Sequence, residues 1–261
     1  VYKRQDYSRL AEFDALFIRE TTSVNHHTYN FARRAAIEGL VVIDDPESIL
    51  KCTNKVFLAE LLQRHKIPIP KTMIAHRDNM TQVAATLGLP CILKQPDSSF
   101  SQGVMKVSTE EEAQEKMKKL FTRSEMIIAQ QFLPTDFDWR IGVLDKKPLY
   151  ACRYFMAKGH WQIIDYGKKG KIREGNADAI RIEDVPEPVL NTALKAANLI
   201  GDGLYGVDLK YVGRKVYVIE VNDNPNIDAG MEDLILKDEL YQTVIKSFIR
   251  RIEEKKLAGK K

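Results

Sequence analysis

Two strand-like segments near the C-terminal end of the chain, 205–212 and 216–222, are separated only by 213–215, and this arrangement restricts the fold more than any other feature. If they pair antiparallel about Arg214, apolar side chains meet on one face of the ladder. The facing pairs are then Val207 with Val221, Leu209 with Ile219, and Tyr211 with Tyr217. A slip of one residue would turn all of them outward. The sequence therefore predicts a β-hairpin with one buried face.

The other face of this hairpin is acidic. In the same register Asp208 lies opposite Glu220, and Asn222 follows on the same side. Like charges that face each other across a ladder are destabilising. A divalent cation would turn this repulsion into coordination, since Mg²⁺ binds one or two carboxylates together with water and phosphate oxygens. We expect a magnesium site here; the alternative is a hairpin face whose charges are hydrated.

Strand-like and helical patterns alternate along most of the chain. Strands are predicted at 13–19, 40–44, 71–75, 91–95, 104–107, 126–132, 138–144, 148–156, 204–211 and 216–222. Helices are predicted at 25–38, 55–65 with Thr53 as N-cap, 80–87, 109–121, 186–200 and about 231–256. A glycine- and lysine-rich loop is expected at 167–175. The pattern predicts a mixed α/β (α+β) fold with antiparallel hairpins in its second half.

The composition is that of an ordinary globular protein: of 261 residues, 44% are hydrophobic and 29% are charged. Cys52, Cys91 and Cys152 are far apart and form no CxxC motif, so a reducing, cytoplasmic location fits best. No apolar run approaches the roughly 18 residues of a membrane span. The net charge of +4 is only mildly basic, and we expect no nucleic-acid partner and no membrane partner. Because the first strand pattern has no earlier strand to pair with, we expect the chain to be a fragment.

Other motif-like patterns do not fit their context. GDGLYG at 201–206 closes a helix and opens a strand, whereas a dinucleotide fingerprint follows a strand and opens a helix. The sequence contains no GxxxxGK[ST] P-loop. His26 and His27 are adjacent and lack an HExxH context, so we favour loop or helix-start positions over metal binding.

A lysine at the end of an apolar strand marks a second candidate site. Lys94 is followed by a serine-rich loop that ends at Gly103. A charge leaving a buried strand needs a partner, and such a loop offers hydroxyl and N–H groups to phosphate oxygens. The alternative is a hairpin with a polar loop and an exposed Lys. Lys55, in the first turn of the second predicted helix, gives a weaker signal because a Lys there is usually hydrated.

Taken together and in order, these segments resemble the ATP-grasp superfamily, and most closely its RimK-like group of carboxylate–amine ligases, which add glutamate to a protein or peptide terminus. TNKVFLAELLQRHKIPIPKT resembles the group's Lys-bearing helix and the strand after it, and ILKQPDSSFSQGV its Lys strand and nucleotide-covering loop. IIAQQFLPTDFDWRIGVL is similar to its hinge and Asp-x-Arg strand, and GVDLKYVGRKVYVIEVNDNPN to its metal hairpin. The resemblance runs from Phe13 to the last helix.

The resemblance implies an ATP-grasp fold with two α+β subdomains, 53–125 and 126–261, that grip ATP after part of a smaller α/β pre-ATP-grasp domain at 1–52. The residues implied to contact ATP are Lys55, Lys94, Ser101, Gln102, Gly103, Gln131, Phe132, Leu133 and Asp138, of which Gln131 to Leu133 would use backbone groups. Asp208, Glu220 and Asn222 would bind Mg²⁺, or Mn²⁺ in its place. Arg140 and Arg153 would face the transferred phosphate and serve catalysis.

The chemistry implied is attack of a carboxylate on the γ-phosphate of ATP, followed by capture of the acyl phosphate by an amine. The reactants would be an amino acid and an amine- or carboxylate-bearing acceptor, with peptides and proteins among the candidates; the oligomeric state stays open, a homo-oligomer included. Candidate substrate contacts are Arg19, Lys169 and Arg173, although the basic loop could equally be hydrated.

Two other functions stay open. One is a ligase for a small amino acid or dipeptide, as in the glutathione and D-alanine ligases. The other is a module that senses ATP without ligation, against which the set of Asp208, Glu220 and Asn222 argues, since a sensor has less need of a full metal site.

Overall fold

The structure is a computed structural model and describes residues 4–97, 103–167 and 172–258. The strands are β1 (Ala15–Phe17), β2 (Val41–Ile43), β3 (Thr72–Ala75), β4 (Cys91–Lys94), β5 (Val104–Val107), β6 (Ile127–Gln131), β7 (Phe137–Leu144), β8 (Lys147–Phe155), β9 (Ile164–Tyr166), β10 (Ile172–Glu174), β11 (Ala177–Ile180), β12 (Leu204–Val212) and β13 (Lys215–Asn222). The α-helices are α1 (His27–Ile37), α2 (Pro46–Thr53), α3 (Lys55–Arg64), α4 (Val83–Leu87), α5 (Glu110–Leu120), α6 (Glu187–Ile200) and α7 (Asp238–Ala258). Short 3₁₀ segments lie at Arg4–Glu12, Met80–Gln82 and Ile182–Asp184.

Most predicted elements are confirmed to within a few residues, but α2 was missed. Its start is encoded locally: the Asp45 side chain accepts hydrogen bonds from the backbone N–H groups of Glu47 and Ser48, and Pro46 occupies the first turn. The predicted cap of the next helix is wrong by one residue. Asn54, not Thr53, accepts from the first N–H groups of α3, because Thr53 still belongs to α2.

The segment around the predicted basic loop contains more strand than expected. β9 and β10 pair antiparallel, and β11 adds an edge to the larger sheet. The final helix begins at Asp238 rather than near 231, after a series of turns. β9, β10 and β11 have only three or four residues each, too few for an alternating pattern to be recognised in the sequence.

The larger sheet has five antiparallel strands in the order β11-β8-β7-β12-β13. One face packs on α6 through an apolar cluster that includes Trp139, Ile141 and Leu209. The opposite face packs in part on α7 and on β2, through a second cluster that includes Cys152 and Leu204. Side chains that belong to the candidate site stand on this second face, since Arg140 pairs with Cys152 across the β7–β8 ladder.

The smaller sheet is also antiparallel, in the order β3-β6-β4-β5. Leu93 and Ala129 point to a core closed by Met117 of α5 and Val83 of α4. Because side chains alternate along a strand, Lys94 stands on the opposite face of this sheet, which is turned toward α3 and the acidic hairpin. The mixed fold predicted from the sequence is confirmed, with antiparallel pairing in both sheets.

The acidic hairpin forms, with a register change that the sequence did not predict. Gly213 and Arg214, both at positive φ, make a two-residue turn of the kind that favours hairpins. Asp208 faces Glu220 as predicted, but the register shifts beyond this pair, so Leu209 faces Val218. The predicted partners Leu209–Ile219 and Tyr211–Tyr217 are therefore wrong. The observed pairs, Leu209–Val218 and Tyr211–Val216, place both valines in the buried core.

None of the helices in the described ranges combines enough length with enough apolar character to cross a lipid bilayer.

Candidate active site

Two ion pairs lie next to each other across the β7–β12 ladder. Arg140 donates from Nε to Asp208 Oδ1 at 2.5 Å and from an Nη to Oδ2 at 2.7 Å, a bidentate pair. Lys210 donates to Asp138 Oδ1 at 2.5 Å and to the Thr135 hydroxyl at 2.6 Å. Asp138, Asp208 and Lys210 are each only 9% exposed. Packing of the two strands thus holds both acids in fixed positions.

Glu220 has a cation of its own. Lys55, from the first turn of α3, donates to Glu220 Oε1 at 2.7 Å. The predicted opposition of Asp208 and Glu220 is confirmed, but each carboxylate faces a protein cation as well as the other acid. The repulsion expected from the sequence is therefore compensated within the chain.

Burial and charge act in opposite directions on these groups. Burial works to raise the pKa of Glu220, but Lys55 and Lys94 outweigh it, and the net pKa is lowered. Burial likewise works to lower the pKa of Arg140, and Asp208 outweighs it, so that pKa lies well above its usual value. Glu220 and Arg140 are charged at neutral pH.

Asn222 completes an oxygen-rich donor set. Its Nδ2 donates to Asp208 Oδ2 at 3.1 Å and to the Gly206 carbonyl at 3.2 Å, which orients its own carbonyl oxygen away from both acceptors. Two carboxylates and an amide oxygen on neighbouring positions of one hairpin are hard oxygen donors of the kind that Mg²⁺ binds. The residues present therefore fit the ion implied by the resemblance.

Lys94 reaches the same space from the smaller sheet. Its Nζ donates to Gln130 Oε1 at 2.9 Å, and Gln130 is fixed by donating to the Thr72 hydroxyl at 2.9 Å. Lys94, Gln130, Lys55 and Glu220 line one cavity of about 20 Å³. Burial lowers the pKa of Lys94 to about 8, against the opposing effect of Glu220. Lys55 and Lys94 come together as predicted, at the acidic hairpin.

The predicted hinge lies where β6 leaves the smaller sheet. The Gln131 N–H donates to the Lys71 carbonyl at 2.8 Å, and Phe132 packs edge-on to Trp161 with 6.0 Å between ring centroids. Lys106 Nζ lies 4.1 Å from the centre of the Phe132 ring. Leu133 follows in the connection to β7. The backbone contacts proposed for adenine stay predictions.

The covering loop is described only at its end. Gly103 has φ +73°, and its carbonyl accepts from the Gln95 N–H at 3.2 Å, which closes the loop between β4 and β5. Ser101 and Gln102 lie outside the described residues, and so does Lys169 of the basic loop.

The predicted position of Arg153 at the transferred phosphate is wrong. Facing residues of an antiparallel ladder share a side, and Arg153 faces Trp139 whereas Arg140 faces Cys152. Arg153 therefore stands on the face opposite Arg140 and Asp208. It donates to Asp178 of β11 at 2.9 Å and lies 5.4 Å from the centre of the Phe137 ring. The anion that pairs with Arg153 is therefore an aspartate of the chain.

The predicted substrate contacts Arg19 and Arg173 both have protein partners. Arg19 donates to Asn224 Oδ1 at 2.5 Å and to the Pro225 carbonyl at 2.9 Å, just after the acidic hairpin. Arg173 pairs with Asp165 across the β9–β10 ladder. Arg19 is thus near the end of the hairpin, and Arg173 belongs to a separate two-stranded ribbon.

Lys210 and Gln130 were missed as site residues. Lys210 follows Asp208 by two positions on a buried strand, so alternation alone could have placed it beside the acidic pair. Gln130 gave no comparable signal, since its role depends on Lys94 and Thr72, which are distant in sequence.

The family description "RimK-like ATP-grasp domain" matches residues 52–245 of this chain. The chain belongs to the RimK-like ATP-grasp family. It is 26% identical over 233 residues to a probable alpha-L-glutamate ligase of Vibrio vulnificus, an alignment that covers 88% of this chain and 74% of the relative. A protein of the same name from Syntrophotalea carbinolica is 26% identical over 255 residues, covering 96% of this chain and 80% of the relative. The predicted family and the predicted class of enzyme, a ligase, are confirmed.

Solved structures agree on the fold of this RimK-like chain. A D-alanine–D-alanine ligase from Bacillus anthracis superposes with a TM-score of 0.73 at 16% identity, covering 97% of this chain and 86% of that one. A RimK domain ATP-grasp protein from Sphaerobacter thermophilus gives a TM-score of 0.64 at 16% identity, covering 90% and 79%. The ATP-grasp ligase PsnB, in complex with a minimal precursor variant, Mg and ADP, gives 0.63 at 20% identity, covering 85% and 67%. The predicted ATP-grasp fold is thereby confirmed.

Proposed function

We propose that this ATP-grasp ligase binds ATP with Mg²⁺ at the acidic hairpin and joins a carboxylate to an amine through an acyl phosphate. The observation that carries the proposal is the meeting of Asp208, Glu220 and Asn222 with Lys55, Lys94 and Arg140. Leaving aside the balanced Asp138–Lys210 pair, cations outnumber anions in this cluster. Such a cluster suits a polyanionic nucleotide whose metal ion would be held by the two acids.

Each side chain has a role in this scheme. Lys55 and Lys94 would neutralise phosphate oxygens, and Arg140, held by Asp208, would stabilise charge on the group in transfer. A carboxylate oxygen attacks the γ-phosphorus, and the bond to the bridging oxygen of ADP breaks. The amine nitrogen then attacks the acyl carbon, phosphate leaves with the electron pair, and the nitrogen loses a proton. Bound Mg²⁺ would supply charge neutralisation at the phosphates. Asp138, bonded to Lys210, would lie near the ribose, and the backbone from Gln131 to Leu133 near adenine.

For the reactants, we propose glutamate as the amino acid and a peptide or protein as acceptor. The names of the sequence relatives support glutamate. The precursor bound to PsnB supports a peptide acceptor, on a shared fold. We also propose the division into 1–52, 53–125 and 126–261. Separate apolar clusters around Ala35 in the first part and Met117 in the second support it, whereas Leu58 and Leu62 of α3 pack with the larger sheet.

A screen of the twenty amino acids for stimulated ADP release tests the proposal, with mass spectrometry of the products. We expect L-glutamate to stimulate release when an acceptor peptide is supplied, and the mass of the peptide to rise by one glutamyl residue. The matched control is Glu220→Gln under the same conditions. ATP binding without ADP release in the presence of any amino acid would favour a sensor, and a labelled dipeptide as the product would favour a small-molecule ligase.

A further inference from the structure

Three side chains with metal-binding atoms converge just before and at the start of α1. Glu20, His26 and His27 each place one ligand atom within 4.8 Å of the other two. His27 Nε2 lies 2.8 Å from Glu20 Oε2, and His26 Nε2 lies 3.9 Å from Glu20 Oε1. The centroids of the two imidazole rings are 3.9 Å apart. Sequence spacing did not reveal this cluster because its carboxylate comes from the preceding loop.

These separations are close to those that a tetrahedral zinc ion requires. With bonds of roughly 2.0–2.2 Å from zinc to nitrogen and oxygen, neighbouring ligand atoms stand about 3.4 Å apart. The 2.8 Å separation is from Glu20 Oε2 and the 3.9 Å separation is from Glu20 Oε1, and they lie on either side of that value. The Glu20 side chain is 59% exposed, so it is free to adjust and solvent can reach a fourth position.

A hydrogen bond fixes one of the imidazoles in the orientation that a metal needs. His26 Nδ1 lies 3.1 Å from Thr28 Oγ1, and the Thr28 hydroxyl is oriented toward the Thr21 carbonyl at 3.5 Å. With the Thr28 proton on that side, its oxygen accepts from His26 Nδ1–H, and the lone pair of His26 Nε2 faces Glu20. Metal-binding histidines typically donate their second nitrogen to an acceptor of this kind.

We propose that Glu20, His26 and His27 bind a divalent transition-metal ion, with Zn²⁺ the best match, and that water completes the coordination. Two imidazoles and a carboxylate are donors that zinc accepts, in contrast to the all-oxygen set at the hairpin. The positive end of the α1 dipole opposes a cation here, and the Glu20 carboxylate offsets that effect.

Hydrogen bonds connect this site to the residues that follow the acidic hairpin. The Glu20 carbonyl accepts from Asn224 Nδ2 at 2.6 Å, and the Thr22 hydroxyl donates to Asp223 at 2.6 Å. A metal ion that orders the segment from Glu20 to His27 would therefore also restrain the loop that follows Asn222. Zinc is expected to raise the melting temperature of the chain.

Calorimetric titration of the tag-free chain with zinc chloride, after removal of metals with a chelator, tests the proposal without ATP or Mg²⁺. Its outcome is therefore independent of the proposed ligase function. We expect one ion per chain and a loss of affinity of at least about ten-fold in each of Glu20→Gln, His26→Asn and His27→Asn. His76→Asn is the matched control, because His76 lies 3.6 Å from Asp78 in a two-residue pair outside the proposed site. The His76→Asn variant should bind zinc as the unsubstituted chain does.

Co²⁺ substitution gives a second readout that reports coordination directly. The intense visible absorption of four-coordinate Co²⁺ should appear with the unsubstituted chain and with His76→Asn, and should be lost in the three site variants. Circular dichroism in the presence of chelator checks that each variant is folded. Absence of saturable zinc binding, or equal affinity in all variants, would overturn the proposal.

Discussion

Glu220 keeps its negative charge because two lysines outweigh the cost of burying it. Lys55 donates to it directly, and Lys94 acts from the opposite sheet. Loss of this carboxylate would remove a negative charge that acts on both lysines. The interaction with the lysines therefore exceeds any repulsion from Asp208 in the metal-free protein.

Glu220→Gln should lower the free energy of unfolding by about 1.5–3 kcal/mol, the range for a hydrogen bond to a charged group. It should also nearly abolish ADP formation, because a neutral amide holds a divalent cation less firmly. Urea denaturation and an ADP-release assay measure the two effects. The exposed Glu60→Gln, on the same helix as Lys55, is the control and should change neither quantity. A Glu220→Gln variant that is more stable and has an unchanged Mg²⁺ dependence would show that Glu220 does not bind the metal.

The lowered pKa of Glu220 also predicts how stability depends on pH. A carboxyl group whose folded pKa lies below its unfolded value of 4.5 contributes stability above that value. The contribution is lost as pH falls through the folded pKa. The difference in unfolding free energy between the unsubstituted chain and Glu220→Gln should thus be constant near neutrality and shrink below pH 4.5. Denaturant titrations at a series of pH values measure it, and a difference that grows on acidification would contradict the assignment.

The lowered pKa of Lys94 predicts a second pH dependence, in which ATP affinity falls as the pH rises. Burial lowers its pKa to about 8, so the free protein loses this positive charge as pH rises through that value. ATP affinity should then decline as the medium becomes more alkaline. Lys94→Arg, whose guanidinium stays protonated, should bind ATP with a flatter profile over the same range. Nucleotide titrations at several pH values provide the measurement; identical profiles would show that Lys94 does not contact the phosphates.

At the scale of elements, alternation along β7 and β8 separates two arginines that the sequence grouped together. Arg140 shares a face with Asp208, and Arg153 shares the other with Trp139 and Asp178. Arg140→Lys should lower turnover by about 100-fold, as expected for loss of an oriented donor at a developing charge. Arg153→Lys should change turnover by less than about two-fold. It should lower stability, since it keeps the positive charge but loses the planar guanidinium group. Steady-state kinetics of the two matched variants measure both effects. Equal losses of turnover would contradict the placement of Arg140 and Arg153 on opposite faces of the sheet.

The acidic hairpin shows which parts of its strand pairing could be predicted from the sequence. Pairing about Arg214 placed Asp208 opposite Glu220 and Val207 opposite Val221, and both pairs are confirmed. It could not reveal the register shift after Asp208. The Val218 N–H donates at 2.9 Å to the Pro68 carbonyl, a residue about 150 positions earlier that no local pattern connects with this strand. The Arg153 error has the same origin, because only strand pairing fixes which face a mid-strand residue takes.

At the scale of the whole molecule, the N-terminal segment and the end of the hairpin are one connected structure. Arg19 and Thr22 bond to Asn224 and Asp223, across about 200 residues of sequence. These contacts were not predictable from spacing. They join β1 and its following loop to the strand that carries Glu220 and Asn222. The sequence did predict that Lys55, Lys94 and the hairpin belong to one site, because the resemblance to a family carries their relative positions.

That single site, assembled from both sheets, makes nucleotide binding a test of the whole molecule. A ligand that binds only the folded chain stabilises it by mass action, by about 2.7 kcal/mol at a hundred times its dissociation constant. Mg·ATP should therefore raise the melting temperature, and ATP with a metal chelator should raise it much less, since Asp208 and Glu220 would then face uncompensated phosphate. Differential scanning fluorimetry measures both shifts. Glu60→Gln should retain the full effect of Mg·ATP, and Glu220→Gln should lose most of it. A shift that is equal with and without Mg²⁺ would mean that the acids do not hold a metal, and no shift in either case would count against ATP binding between the two sheets.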